Sequence, residues 1–336
     1  MSKLLKRLNR SISLYLLSCG LLFESAIHAQ STVSTPVVGF NTTTVKGVGS
    51  SGQSMFASFV PVNLSKTAVF KGSATASGTT NVLTGANITT NLNPSGGYPS
   101  HYLLINSGTG SGFFSDIVSY TANSVVTADD LSGYLSSSAT VSIIPHIKLS
   151  DVLGTGSGLI ITGGANVTVA DNVQLVDSAG TLKVYYYKTG IGAGWKTSAN
   201  TDASSLVVYP NESILVFRKQ SSNVSVVQTG ALADQDTKAT VSQNLNSVAG
   251  GFPLPMSLTN LTSVLSGGSS ISTADNVLIA NPTTGKLDVV YYKTGIGAGW
   301  KTSANSNADT SRYLSDGFLV KRKSSSPAVI TQTKSW

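Results

Sequence analysis

The residues with most chemical promise lie in a run that occurs twice, Tyr-Tyr-Lys-Thr-Gly-Ile-Gly-Ala-Gly-Trp-Lys-Thr-Ser-Ala-Asn, at Tyr186–Asn200 and at Tyr291–Asn305. Its alternating glycines invite comparison with a phosphate-binding loop. A dinucleotide loop, however, is G-x-G-x-x-G opening a helix, and a P-loop needs Gly-Lys-Ser/Thr after four spacer residues. Gly190, Gly192 and Gly194 instead lead into Trp195 with no helix start, so the pattern favours a tight, twisted turn in which glycine permits positive φ. The aromatics Tyr186, Tyr187, Trp195, Tyr291, Tyr292 and Trp300 are the candidate ligand-stacking set, because neighbouring rings make a platform for a sugar face. One tryptophan per copy equally suits a repeated core, and that reading is preferred, with Lys188, Lys196, Lys293 and Lys301 solvated around it.

Other chemistry is thin. After an N-terminal leader only His101 and His146 remain, neither at ligand spacing from another histidine or a cysteine, so no ordinary zinc site is expected. Asp171-Asn172 recurs as Asp275-Asn276, and two readings stand: an Asx turn, which is preferred, or an oxygen-ligand calcium site. Asp129-Asp130 and Asp234 with Asp236 read as loop acids. No serine sits in a G-x-S-x-G elbow. The sequence therefore assigns no catalytic residue, no metal site and no cofactor, and a non-enzyme is expected.

The elements that must position the repeated run follow from its flanks. Upstream, Val169-Ala170-Asp171-Asn172-Val173 aligns with Thr273-Ala274-Asp275-Asn276-Val277, and downstream Leu215–Lys219 aligns with Leu319–Lys323. The one-residue difference between copies falls at Asp177–Gly180 against Asn281–Gly285, which places a hairpin tip there, since insertions at tips preserve strand register. Each module then reads as strand, hairpin, tyrosine strand, glycine turn, tryptophan strand and a strand ending in basic residues. Leu149, Val152 and Leu153, and likewise Leu258, Leu261, Val264 and Leu265, have helical spacing and predict short helical turns that plug one end of a sheet or barrel. The basic groups Arg218-Lys219 and Lys321-Arg322-Lys323 read as solvated strand edges that discourage aggregation. Leu103–Phe113 carries a weaker echo of the strand, G-x-G-x-G and aromatic pattern.

The predicted fold class is all-β: several small antiparallel sandwich or barrel-like modules with short helical turns and a duplicated C-terminal module. The expected divisions are a signal peptide over 1–29, an N-terminal β domain over 30–145, module copies over 146–230 and 254–336, and a linker over 231–253. Lys3, Lys6, Arg7 and Arg10, the apolar stretch Ile12–Phe23 and small Ala29 have the order of a secretory leader. The one cysteine, Cys19, lies inside it and fits a lipoprotein processing site poorly. Removing the leader takes four basic residues and Glu24 from the 22 basic and 15 acidic ones, leaving 18 and 14, so the net charge falls from +7 to +4. That removes the main support for a nucleic-acid partner. The apolar stretch is shorter than a spanning helix requires, so no stable membrane span is expected after cleavage.

The order Pro36–Phe40, then Ala68–Gly72, then His101–Ile105 with its glycine turn, then Ile143-Ile144-Pro145-His146, resembles a family of uncharacterised secreted proteins found mainly in verrucomicrobial bacteria. The resemblance runs over essentially the whole chain after the leader. It implies export and a β-rich fold, and it implies no activity. The expected function is thus an exported, non-enzymatic cell-surface or extracellular structural protein of a Gram-negative-type bacterium, self-associating or bound to other envelope components. The alternative is a carbohydrate-binding or adhesive module using the Trp and Tyr positions on a glycan; an outer-membrane barrel ending at Trp336, or a secreted hydrolase, ranks lower.

Overall fold

The computed structural model describes residues 38–48, 56–59, 66–135, 139–233, 235–249, 256–281, 284–312, 314 and 317–334. The leader expected over 1–29, Cys19 within it, Asp234 and Trp336 lie outside these residues. Two strands come first, β1 (Val38–Val45) and β2 (Phe56–Phe59). Six more follow: β3 (Phe70–Ser77), β4 (Thr80–Leu83), β5 (His101–Ile105), β6 (Phe114–Tyr120), β7 (Ser124–Thr127) and β8 (Thr140–Pro145). The first repeat holds β9 (Ile147–Lys148), β10 (Asn172–Val176), β11 (Leu182–Lys188), β12 (Gly194–Thr197), β13 (Val207–Val208), β14 (Ile214–Phe217) and β15 (Val224–Ala231). The last seven are β16 (Thr237–Val241), β17 (Asn244–Val248), β18 (Asn276–Ala280), β19 (Leu287–Lys293), β20 (Gly299–Thr302), β21 (Phe318–Arg322) and β22 (Ala328–Gln332). The fold is all-β, as the scarcity of helix-forming residues predicts.

Strands β3 to β8 close into a barrel in the order β3-β4-β7-β6-β5-β8. Closure leaves no free sheet edge, which a chain of Ser-, Thr- and Val-rich strands otherwise exposes to aggregation. Period-two burial on β4 and β7 directs Leu83 and Val125 inward, where they meet Leu103, Ile105, Ile117, Val141 and Ile143.

The two repeats share one plan. The first has sheet order β12-β11-β10-β14-β2, with β1 and β15 as a separate antiparallel ribbon. The second has β20-β19-β18-β21-β17, with β16 and β22 as its ribbon. Strands β1 and β2 therefore do in the first module what β16 and β17 do in the second. This differs from the division expected from sequence in two places. Strands β1 and β2, placed with the N-terminal domain, pair with β15 and β14 of the first module. The supposed linker over 231–253 contains two strands, β16 and β17, that pair with β22 and β21 and open the second module. Physically, the barrel is an insertion: the first module's chain leaves after β2, builds the barrel, and returns at β9. The linker reading failed because β16 and β17 lean on partners about 75–95 residues away in sequence, Val320 opposite Asn246 and Ile330 opposite Ala239, rather than on their own alternation.

Both expected helical turns form, Leu149–Leu153 and Leu258–Leu261, burying Leu149, Val152 and Leu153 in one module and Leu258 and Leu261 in the other. Asp151 and Asn260 each accept from the backbone N–H at the turn's start, 3.0 and 2.9 Å, which satisfies a donor that the first turn leaves unpaired. Among the described residues no helix is long and apolar enough to cross a membrane, a statement that does not bear on strands.

Candidate functional site

The repeated run is a hairpin in each copy. Tyr187 faces Trp195 across β11 and β12, and Tyr292 faces Trp300 across β19 and β20. The rings meet edge to face, centroids 5.7 Å apart in both copies, an arrangement that aromatic quadrupoles favour. Trp195 is 1% exposed and Trp300 5%. Each indole N–H is satisfied inside: Trp195 Nε1 donates to the Gly154 carbonyl at 3.1 Å and Trp300 Nε1 to Thr262 Oγ1 at 3.0 Å, both just beyond the helical turns. Tyr186 and Tyr291 are buried as well, and their hydroxyls donate to Asn200 Oδ1 and Asn305 Oδ1 at 2.9 and 3.0 Å. Those two asparagines sit at positive φ, 64° and 61°, where Asn is tolerated better than most side chains.

The stacking set named from sequence is therefore core. Tyr186, Tyr187, Trp195, Tyr291 and Trp300 are buried and Tyr292 is half-buried, so none offers an open ring face to a sugar. The physical reason is register: Tyr185, Tyr187 and Trp195 project into the cluster with Val173, Leu175, Ile214 and Val216.

The Asp-Asn pairs also resolve differently from both sequence readings. Asp171 is fully buried, and its oxygens accept from Arg218 Nη1 at 2.6 Å, Lys219 N at 2.7 Å and Thr162 N at 2.8 Å. Asp275 repeats the set with Arg322 Nη1 at 2.8 Å, Lys323 N at 2.7 Å and Ser266 N at 2.8 Å. Both carboxylates are committed to an arginine and two backbone amides rather than to an Asx turn, and a calcium ion would have to displace the guanidinium. Arg218 and Arg322, read from sequence as solvated edge charges, are 4% and 5% exposed. Each also donates through Nε to a backbone carbonyl, Ser222 and Ser326, and so clamps the turn after the strand. The signal was present in the sequence, since Asp and Arg recur at the same separation of 47 in both copies.

What the hairpins present to solvent is their tip. Gly190, Gly192 and Gly194 take φ of 76°, 71° and 139°, and Gly295, Gly297 and Gly299 take 78°, 72° and 132°, which requires glycine in each case. Nothing lies within 4 Å of a Cβ built on any of the six, so backbone conformation alone, and no close neighbour, selects glycine there. Between them Ile191 is 97% exposed and Ile296 96%. One exposed isoleucine is ordinary surface. Here the same residue stands free at both tips within a run identical over fifteen positions, while buried positions beside it have changed: Tyr185 corresponds to Val290, Leu175 to Ile279 and Ile214 to Phe318. Packing does not require the isoleucine, and the sequence reading, fixed on the glycines and tryptophans, passed over it. The echo at Leu103–Phe113 is a hairpin turn too, joining β5 and β6. It is packed rather than free, for a Cβ on Gly112 would lie 2.3 Å from the Asp236 carbonyl.

Among the described residues no three His, Cys, Asp or Glu side chains come together as a metal site. No protein-family model, no curated protein and no solved structure matches this chain.

Proposed function

We propose that the chain is an exported, non-enzymatic structural protein of the cell surface or exterior, attached multivalently through the glycine-ringed tips of its two repeated modules. The observation that carries this reading is the pair of tips: an exposed Ile191 and an exposed Ile296 held on identical, rigidly anchored hairpins. Each tip is braced from below by a buried tryptophan bonded to the helical turn, so the contact geometry is fixed before any partner arrives. Two equal contact points on one chain suit assemblies of copies, or attachment to envelope components, because the second contact forms at high effective concentration once the first is made. Burial of the aromatic set argues against the carbohydrate reading at those positions. Negative staining of the purified exported chain, with fractionation of native cells, tests the proposal. Polymers or surface-attached material support it; a monomer confined to the periplasm contradicts it.

A further inference from the structure

The barrel, the first module and strands β16 and β17 of the second module meet around a cleft of ≈ 1130 Å³. Its walls come from segments far apart in sequence: the start of β6 and the loop before it, the turn between β13 and β14, and β16. The joint is fixed by direct bonds. Asn211 Nδ2 donates to the Lys238 carbonyl at 3.0 Å, Ser213 N to Ser247 Oγ at 2.9 Å, and Lys238 Nζ to the Thr109 carbonyl of the barrel at 3.0 Å.

Two kinds of group face each other across this space. On the barrel side, Phe113 and Tyr134 pack at 4.5 Å between centroids and 45° between planes, and Tyr134 remains 40% exposed. Lys238 Nζ lies 4.8 Å from the Phe113 centroid and closes that end. Carboxyl groups line the rest. Asp116 on β6 is held through Oδ1 by His146 Nε2 at 2.9 Å. The His146 ring is in turn wedged between Tyr102 and Tyr209, at 4.8 and 5.3 Å, so the aspartate is aimed by a packed support. Across the seam, Glu212 lines the same space, accepts the Tyr209 N–H through Oε2 at 2.9 Å and is 6% exposed. Burial also pushes the Glu212 acid up to about 8, so at neutral pH it holds its proton and can both donate and accept. Asp129, Asp130 and Asp177 line the same space against Lys183 and Lys238, an acidic balance in a chain whose formal net charge is +7.

We propose that this cleft is the binding site of an uncharged oligosaccharide, with Tyr134, backed by Phe113, packing against a sugar face and Asp116 and Glu212 hydrogen-bonding its hydroxyls. The exposed Tyr134 ring beside carboxyl groups matches the alternation of C–H faces and hydroxyl edges on a sugar ring. The acidic lining disfavours glycans that carry carboxylate or sulfate. The volume lies above the range of about 300–1,000 Å³ of ordinary small-molecule pockets, which gives room for several rings. Glycan recognition thus belongs to the seam created by the barrel insertion, and not to the repeated Trp and Tyr positions.

The test is calorimetric titration of the exported full-length chain with neutral hexaoses (cellohexaose, xylohexaose, mannohexaose and N-acetylchitohexaose), alongside polygalacturonate and a heptalysine peptide. At least one neutral hexaose is expected to bind, with affinity reduced tenfold or more by Tyr134→Ala and, separately, by Glu212→Gln. Tyr134→Ala alters a part-exposed side chain, so it reports even where the buried change fails to fold. Ile191→Asp leaves the affinity unchanged, which separates this site from tip-mediated attachment. The proposal is overturned when no neutral hexaose binds, when only the peptide or the polyuronate binds, or when binding survives Tyr134→Ala.

Discussion

Replacing Asp171 by alanine removes one carboxylate that serves three donors at once. Arg218 is left 4% exposed with its charge uncompensated, and the amides of Lys219 and Thr162 lose their acceptor. Breaking a buried ion pair from one side costs about 3–5 kcal/mol, because the abandoned charge stays out of water. Taking ~4 kcal/mol and tenfold per ~1.4 kcal/mol, local opening of the first module becomes roughly a thousand times more frequent. Native-state hydrogen exchange, followed peptide by peptide, reads this directly. Protection of Asn172–Val176 and Ile214–Phe217 should fall by about that factor, while the equivalent strands Asn276–Ala280 and Phe318–Arg322 change far less. Asp275→Ala should give the mirror-image pattern, and calcium added to the unaltered chain should raise protection in neither module, since the carboxylate oxygens are already taken. A loss below about tenfold around Asp171 would refute the reasoning, for it would mean that Arg218 finds solvent without opening the module.

Trp195→Ala and Trp300→Ala should each cost about 3–5 kcal/mol, from a large cavity and a carbonyl or hydroxyl left without its indole donor; urea denaturation checks this. Glu212 gives a pH dependence of definite sign. Its folded value of about 8 stands above the ordinary 4.5, so between those values the folded chain keeps a proton that the unfolded chain has lost. Stability is therefore fully supported below about 4.5, falls by up to about 1.4 kcal/mol per unit as pH rises, and levels off above about 8. Glu212→Gln should flatten that part of the urea-midpoint profile between pH 5 and 9, and an unchanged slope would place the proton elsewhere.

The duplicated hairpins were legible in the sequence because their signals are local: glycines where φ is positive, tyrosines and tryptophan alternating along strands, and an extra residue accommodated at a turn. The helical turns were legible for the same reason, with Leu149, Val152 and Leu153 at helical spacing. Pairing between distant segments was not. β1 and β2 carry no mark that assigns them to a module beginning about a hundred residues later, and β16–β17 lacks the alternation that distinguishes a strand from a linker. Arg218 and Arg322 looked like surface charges, since sequence gives residue type while burial depends on a partner 47 residues away. Glu212 is the one glutamate left once the expected leader with Glu24 is set aside, and sequence says no more of it; that it sits on a seam between barrel and module follows from the insertion, which local patterning does not reveal.

The central claim is that the two tips attach the protein and contribute nothing to its fold. Sedimentation velocity on the purified chain, beside Ile191→Asp and Ile296→Asp combined, tests it most directly. Exposed substitutions of this kind change stability by no more than about 0.5 kcal/mol, so both proteins should unfold at the same urea concentration. The account predicts multimers for the unaltered chain and monomers for the double variant. Identical sedimentation of the two, together with equal retention of both on native cell envelopes, would contradict it.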